Sequence, residues 1–184
     1  MKLLKSPVLL LFLFLVVKIE AQQTSTANVQ MDPEKSIISN AQASGTHNLL
    51  LAAVKLSDLE TILDNDGPFT VFAPSDVNID KATKDRVTEL VRTKNKKELQ
   101  SVLGYHIIAG KLTASKILKA LCSGKGRATF TTITGDILTA TMKGIDIILT
   151  DKKGNESVIT KADENQCNGV IHVIDTVRHQ LSKV

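Results

Sequence analysis

Two segments of the chain are apolar on both of the faces that alternate along an extended strand. Residues 168–177 read NGVIHVIDTV, in which Asn168 and Gly169 form a turn pair ahead of the apolar run. Residues 69–73 read FTVFA and end at Pro74, which lacks a backbone N–H. Strands of this kind lie inside a sheet that is covered on both sides. The pattern predicts two neighbouring core strands, with much of the chain packed against the later one.

The first half of the chain shows mainly the apolar spacing of helices. Residues 32–33, Asp-Pro, are expected to begin a helix with the Asp as its cap. A second helical pattern covers residues 47–54, and the Ser and Glu of residues 57–60 predict a capping box for a third helix. Two more helices are expected next, the second opened by Asn95 with Glu98 at its third position.

The second half changes to short runs rich in Ile, Val and Thr, separated by tight turns. Such runs are typical of an antiparallel meander, and they cover residues 128–134, 137–142, 145–150 and 157–162. Helices first and strands later predict an α+β domain rather than an alternating parallel one.

The N-terminus has the pattern of a secretory signal peptide, predicted to span residues 1–21. Lys2 and Lys5 precede an apolar segment at 8–17, and Ala21 offers a small residue for cleavage. The apolar segment is shorter than the ~20 residues that a membrane-spanning helix needs, and the rest of the sequence offers no other transmembrane segment.

The mature chain is expected to be a disordered spacer followed by one domain. Residues 22–32 are mostly polar without periodicity, and residues 33–184 are long enough to bury one core. Removing residues 1–21 lowers the formal net charge from +4 to +2, because 20 basic and 18 acidic residues remain. Net charge therefore says little about partners.

Three segments resemble the signature segments of the fasciclin domain family, in the family's order and at about its spacing. They are GPFTVFAPSD at 67–76, YHIIAG at 105–110 and NGVIHVID at 168–175. The resemblance spans about residues 35–180, and Ile79 departs from it, since the family usually has an aromatic residue there. It implies a wedge of two β-sheets flanked by N-terminal helices. It also marks Tyr105 and His106 as a pair that some animal fasciclin domains use in cell adhesion, although both side chains could instead maintain the fold.

Neither a metal site nor a cofactor is expected. The four histidines, His47, His106, His172 and His179, lack the close helical pairing of a zinc site. His172 shares a strand face with apolar residues, which favours a hydrogen-bonded core residue over a catalytic one. Asp175 is expected to bond to the backbone or cap a turn. A hydrolase using His172 or His106 remains the alternative.

Basic residues concentrate in residues 81–97. A solvated helix surface explains them, and a binding surface for an acidic polysaccharide or lipid is the alternative. The possible adhesion surface comprises Lys94, Lys96 and Lys97 together with Tyr105 and His106. Nucleic acid is not an expected partner, because the chain has no Trp and few aromatics to stack on bases.

Cys122 and Cys167 are the only cysteines, and an exported chain with one even pair predicts a disulfide between them.

These features predict a secreted, non-catalytic module, extracellular or periplasmic, that mediates cell adhesion or interaction with matrix. Its partner would be a cell-surface or matrix protein or an acidic polysaccharide. A secreted or periplasmic hydrolase, or a periplasmic protein of unrelated role, are the alternatives. The sequence does not set the oligomeric state.

Overall fold

The computed structural model describes residues 31–175. The predicted signal peptide at 1–21 lies outside this range, as does all but the end of the predicted spacer. Within residues 31–175, no helix is long and apolar enough to cross a membrane. The helices and strands of the described chain follow in the order α1 (Ile37–Ser44), α2 (Asn48–Leu56), α3 (Glu60–Asn65), β1 (Phe69–Pro74), α4 (Lys81–Thr93), α5 (Lys96–Gly104), β2 (Ile107–Ala109), α6 (Ala114–Ser123), β3 (Arg127–Thr131), β4 (Ile137–Lys143), β5 (Asp146–Thr150), β6 (Glu156–Gln166) and β7 (Gly169–Ile174).

Two of the predicted helix caps are wrong. The first helix begins at Ile37, where the Ser36 side chain accepts a hydrogen bond from the Ser39 amide, rather than at Asp32. Asp32 instead accepts a hydrogen bond from the Glu34 amide at 3.0 Å in a local turn.

Ser57 does not cap α3, because its hydroxyl donates to the Val54 carbonyl at the end of α2. The cap at α5 is confirmed, since Asn95 accepts from the Glu98 amide.

The two strands that the sequence predicts as core neighbours pair directly. β1 and β7 run parallel, with Val71 opposite Ile171 and Phe72 opposite His172. The strand order is β2-β1-β7-β6-β5-β4-β3. The eleven-residue β6 pairs with β5 through its first three residues and with β7 from Ile159 onward, so one strand joins the two halves of the expected wedge.

The edge strands of this sheet approach each other. Just beyond β3, the Ile133 amide donates to the Ile107 carbonyl of β2 at 2.9 Å. The seven-stranded sheet is therefore nearly closed into a barrel.

Hydrophobic clusters cover both faces of β1 and β7, which is why these strands are apolar at consecutive positions. Val71 and Ile171 belong to a cluster with residues of α1 to α5. Phe72 and Ile174 belong to a second cluster with Ile117 of α6 and residues of the meander. The alternation of side chains along a strand sends successive residues into the two clusters.

The start of β7 requires glycine. A Cβ atom on Gly169 would lie 2.1 Å from the Phe69 carbonyl oxygen and 2.8 Å from a methyl group of Ile37. Because β1 and α1 approach the backbone this closely, the second residue of the Asn-Gly pair must lack a side chain.

Candidate functional site

His172 is a fully buried histidine that bonds through both ring nitrogens. Its Nδ1 accepts from the Asp163 amide at 3.2 Å, and its Nε2 donates to the Leu112 carbonyl at 2.7 Å. The ring also stacks on Phe72, with centroids 5.5 Å apart. One nitrogen accepts and the other donates, so the imidazole is neutral with its proton on Nε2. Burial lowers the pKa of His172 below its ordinary value, which favours the same state.

These contacts leave His172 poorly placed for catalysis. The ring is 0% exposed to solvent, and a base must reach the proton that it removes. Asp175 lies nearby in the chain but serves the backbone: its Oδ1 accepts from the Val158 amide at 2.8 Å, and its own amide donates to the Val158 carbonyl at 3.0 Å. Asp175 therefore fixes the end of β7 to β6.

The connection between β2 and α6 is held by several partly buried hydrogen bonds. Thr70 of β1 donates through its hydroxyl to the Gly110 carbonyl at 2.6 Å and accepts from the Leu112 amide at 2.8 Å. His172 binds the Leu112 carbonyl, so β1 and β7 satisfy both backbone groups of that residue. Asp163 of β6 then accepts from the Ala114 amide at 2.8 Å, which anchors the first turn of α6. Three strands thus position this connection.

Asn168, just before the start of β7, also connects separate elements through side-chain hydrogen bonds to their backbone. Its Oδ1 accepts from the Ile37 amide at 2.9 Å, and its Nδ2 donates to the Leu63 carbonyl at 2.7 Å. The side chain joins β7 to α1 and α3. Sequence reasoning identified Asn168 only as a turn residue, because its partners lie more than 100 positions away along the chain.

Tyr105 and His106 do not form a joint exposed surface. Tyr105 is only 9% exposed, and its hydroxyl accepts from the Lys152 amide at 3.2 Å. Burial is the main cause that raises the pKa of this phenol. His106 is half-buried and lines an apolar cavity of about 50 Å³ with Leu49, Val87 and Leu103. The placement of Tyr105 in the adhesion surface is therefore corrected, since its ring packs in the core and its polar end is bonded.

The predicted basic surface of α4 and α5 is exposed and partly compensated by carboxylates. Lys94, Lys96 and Lys97 are all exposed, and Lys96 pairs with Asp58 at 2.7 Å. Three other cations of this region also form ion pairs, namely Lys81 with Asp85, Arg86 with Glu98, and Arg92 with Glu89. The local field is therefore weaker than the cation count in the sequence indicates.

The predicted disulfide is not present in the structure. Cys122 and Cys167 are both exposed free thiols. Cys122 lies near the end of α6, which packs on β3 and β4. Cys167 lies in the turn before β7, where its amide donates to the Lys35 carbonyl at 3.0 Å. Export and an even number of cysteines do not by themselves bring two thiols within bonding distance.

The histidines, cysteines and acidic residues within residues 31–175 form no group of three or more that could hold a metal ion.

Comparison with known proteins places these features in a family. The family model described as Fasciclin domain matches residues 45–178. Protein sll1483 of Synechocystis is 35% identical over 146 residues, which cover 79% of this chain and 74% of that protein. The cell surface glycolipoprotein MPB83 of Mycobacterium bovis is 28% identical over 155 residues, covering 83% of this chain and 63% of that protein.

A solved structure shares the fold. The FAS1 domain pair from the insect cell adhesion molecule fasciclin I matches with a TM-score of 0.69 at 18% sequence identity. The match covers 80% of this chain and 52% of that chain, so this protein spans about half of the solved pair.

Proposed function

The chain belongs to the fasciclin domain family, and on that basis we propose that it is a non-catalytic module of an exported protein that adheres to a cell surface or extracellular matrix. The observation that carries the proposal is the family match over residues 45–178, which includes most of the described fold. A relative matched along 83% of this chain is named as a cell surface glycolipoprotein, which supports a surface location. Export further requires the N-terminal segment 1–21 to act as a signal peptide.

The contacts of His172 support a non-catalytic module. A hydrolase would need a base with access to substrate, and this histidine is enclosed with both nitrogens bonded inside the protein. His106 is the more accessible of the two histidines named by the hydrolase alternative, since it is half-buried beside a cavity. That cavity is lined mainly by aliphatic side chains and is too small for a substrate of ordinary size, since ligand sites usually measure ~300–1,000 Å³.

The proposal is tested with the exported, full-length product. Beads coated with the purified protein are counted on cultured cells and on matrix-coated plates, while the same protein is screened against ester, peptide and glycoside substrates. We expect adhesion above that of albumin-coated beads and no hydrolysis. The proposal would be overturned in favour of an enzyme if the coated beads did not adhere and the wild-type protein hydrolysed a substrate that the His106→Ala variant did not.

A further inference from the structure

One stretch of the sequence carries positive charge without any acidic residue. Residues 99–135 contain five cations and no Asp or Glu. By contrast, residues 80–98 contain seven cations and four acidic residues. The sequence alone does not mark the longer stretch as a basic region, because its cations are spread over 37 positions and over different elements.

The fold gathers these five cations around α6. Lys111 lies in the connection before the helix, and Lys116 and Lys119 are exposed on the helix itself. Lys125 is exposed in the turn that follows the helix, and Arg127 is exposed at the start of β3. Residues three apart on a helix are surface neighbours, so Lys116 and Lys119 share one face, while Ile117 and Leu121 are buried against the sheet. We call the five cations the α6 basic surface.

The charges of this surface are not neutralised by the described residues. None of the five cations forms an ion pair within residues 31–175. Asp163 contacts the first turn of α6, where its carboxylate accepts from the Ala114 amide. The α4–α5 region differs, because four of its seven cations are paired with carboxylates.

A groove adjoins the N-terminal end of this surface. It has a volume of about 440 Å³ and lies between the connection that follows β2 and the exposed edge of β3. Lys111 and Lys116 line it together with Thr129, Phe130 and Thr131. The Lys116 ammonium donates to the Lys111 carbonyl at 2.7 Å, which holds a positive charge at the groove. Its volume lies within the usual ~300–1,000 Å³ of ligand sites.

The backbone beneath the groove is fixed in place. Thr70 and His172 bind both backbone groups of Leu112, and Asp163 binds the start of α6. A binding surface that is already ordered loses less conformational entropy when it takes up a ligand.

We propose that the α6 basic surface binds a sulfated polysaccharide, with one anionic sugar unit seated in the groove. This inference rests on the proposed function and names the partner class for it. Cations that follow one another from the groove along α6 to the next turn suit a linear polyanion with regularly repeated charge. The hydroxyl groups of Ser115, Thr129 and Thr131 lie among them on exposed positions and can bond to sugar oxygens. A membrane is a less suitable partner for this surface, because α6 exposes only one large apolar side chain that could enter a lipid layer, Leu118 at 41% exposure.

The test measures binding of a heparin dodecasaccharide to the full-length exported protein by calorimetry at two salt concentrations. The variant Lys116→Glu/Lys119→Glu/Lys125→Glu removes three cations of the α6 basic surface. Its matched control, Lys94→Glu/Lys96→Glu/Lys97→Glu, reverses three exposed lysines of the other basic region. All six side chains are exposed, and circular dichroism with thermal unfolding verifies that each variant is folded.

We expect the α6 variant to weaken binding about tenfold or more and the control to change it less than about threefold. Wild-type affinity should fall as salt rises, because salt screens exposed charges. The inference is overturned if the control loses binding while the α6 variant keeps it, if both variants lose it equally, or if the wild-type protein binds no heparin. Binding only to poly-glutamate peptide or only to phosphatidylserine vesicles would overturn it in favour of a protein or a membrane partner.

The two assays together distinguish a failure of this inference from a failure of the proposed adhesion function. If coated beads still adhere to cells while heparin is not bound, the polysaccharide is wrong and adhesion stands. If beads do not adhere although heparin binds through α6, the adhesion proposal fails and the binding surface stands.

Discussion

The Nε2 of His172 donates a hydrogen bond to the carbonyl oxygen of Leu112 at 2.7 Å, across 60 positions of the chain. His172 lies in β7, whereas Leu112 lies in the connection that leads to α6. The second ring nitrogen accepts from the Asp163 amide of β6, so one imidazole connects β7, the adjacent β6 and the approach to α6. A residue whose type suggests catalysis therefore holds the backbone beside the candidate binding surface.

Replacing His172 with Ala should lower the free energy of unfolding by about 2–4 kcal/mol, because it leaves a cavity and removes the buried partners of the Leu112 carbonyl and the Asp163 amide. Urea unfolding measures the loss. Bead adhesion should fall only in proportion to the folded fraction. A variant with full stability and no adhesion would show that His172 acts directly in binding.

The stability of the protein should fall below about pH 6.5, the ordinary pKa of an unfolded histidine. Because burial lowers the pKa of His172 in the folded state, the unfolded chain takes up a proton there that the folded chain does not. The contribution is fully present above that pH and decreases at up to ~1.4 kcal/mol per unit as pH falls. Urea unfolding at pH 7.5 and 5.5 measures it.

His172→Gln serves as the control for the pH experiment, because it has no titrating group at this position while the other histidines are unchanged. The wild-type protein should lose more stability between pH 7.5 and 5.5 than this variant does. Equal losses in the two proteins would assign the pH dependence to other groups.

Replacing Asn168 with Ala should destabilise the protein by about 2–4 kcal/mol, since it leaves the Ile37 amide and the Leu63 carbonyl without this partner. Asn165→Ala is the matched control, because within residues 31–175 that exposed side chain bonds only locally, to the Asp163 carbonyl. The control should change stability by less than about 1 kcal/mol. Similar losses in both variants would mean that the long-range bonds of Asn168 contribute little.

Both cysteines should react as free thiols in the native, unreduced protein. Cys122 and Cys167 are exposed and lie on different parts of the fold, so a thiol reagent should label both without denaturant. Adding a reductant should leave the thermal midpoint unchanged. Complete absence of labelling until reduction would instead show a bond between them, and the structure would need to rearrange near Lys35 or α6.

The sequence determined the features of this protein that depend on near neighbours. Consecutive apolar positions predicted that β1 and β7 are core strands, and the structure confirms that they pair. The Asn95 cap of α5 could also be predicted from the sequence, because donor and acceptor lie three residues apart. Asp32 and Ser36 could each cap the first helix, and the sequence indicated Asp32, whereas the cap is Ser36.

Tertiary structure alone decided which distant groups meet. Strand order and helix placement bring Asp58 to Lys96, and they bring Thr70 and His172 to the backbone of Leu112. They also leave the two cysteines as free thiols. The same placement gathers five dispersed cations around α6 without a carboxylate partner among the described residues. Composition counts charges, but their field depends on the distances between them, and folding sets those distances.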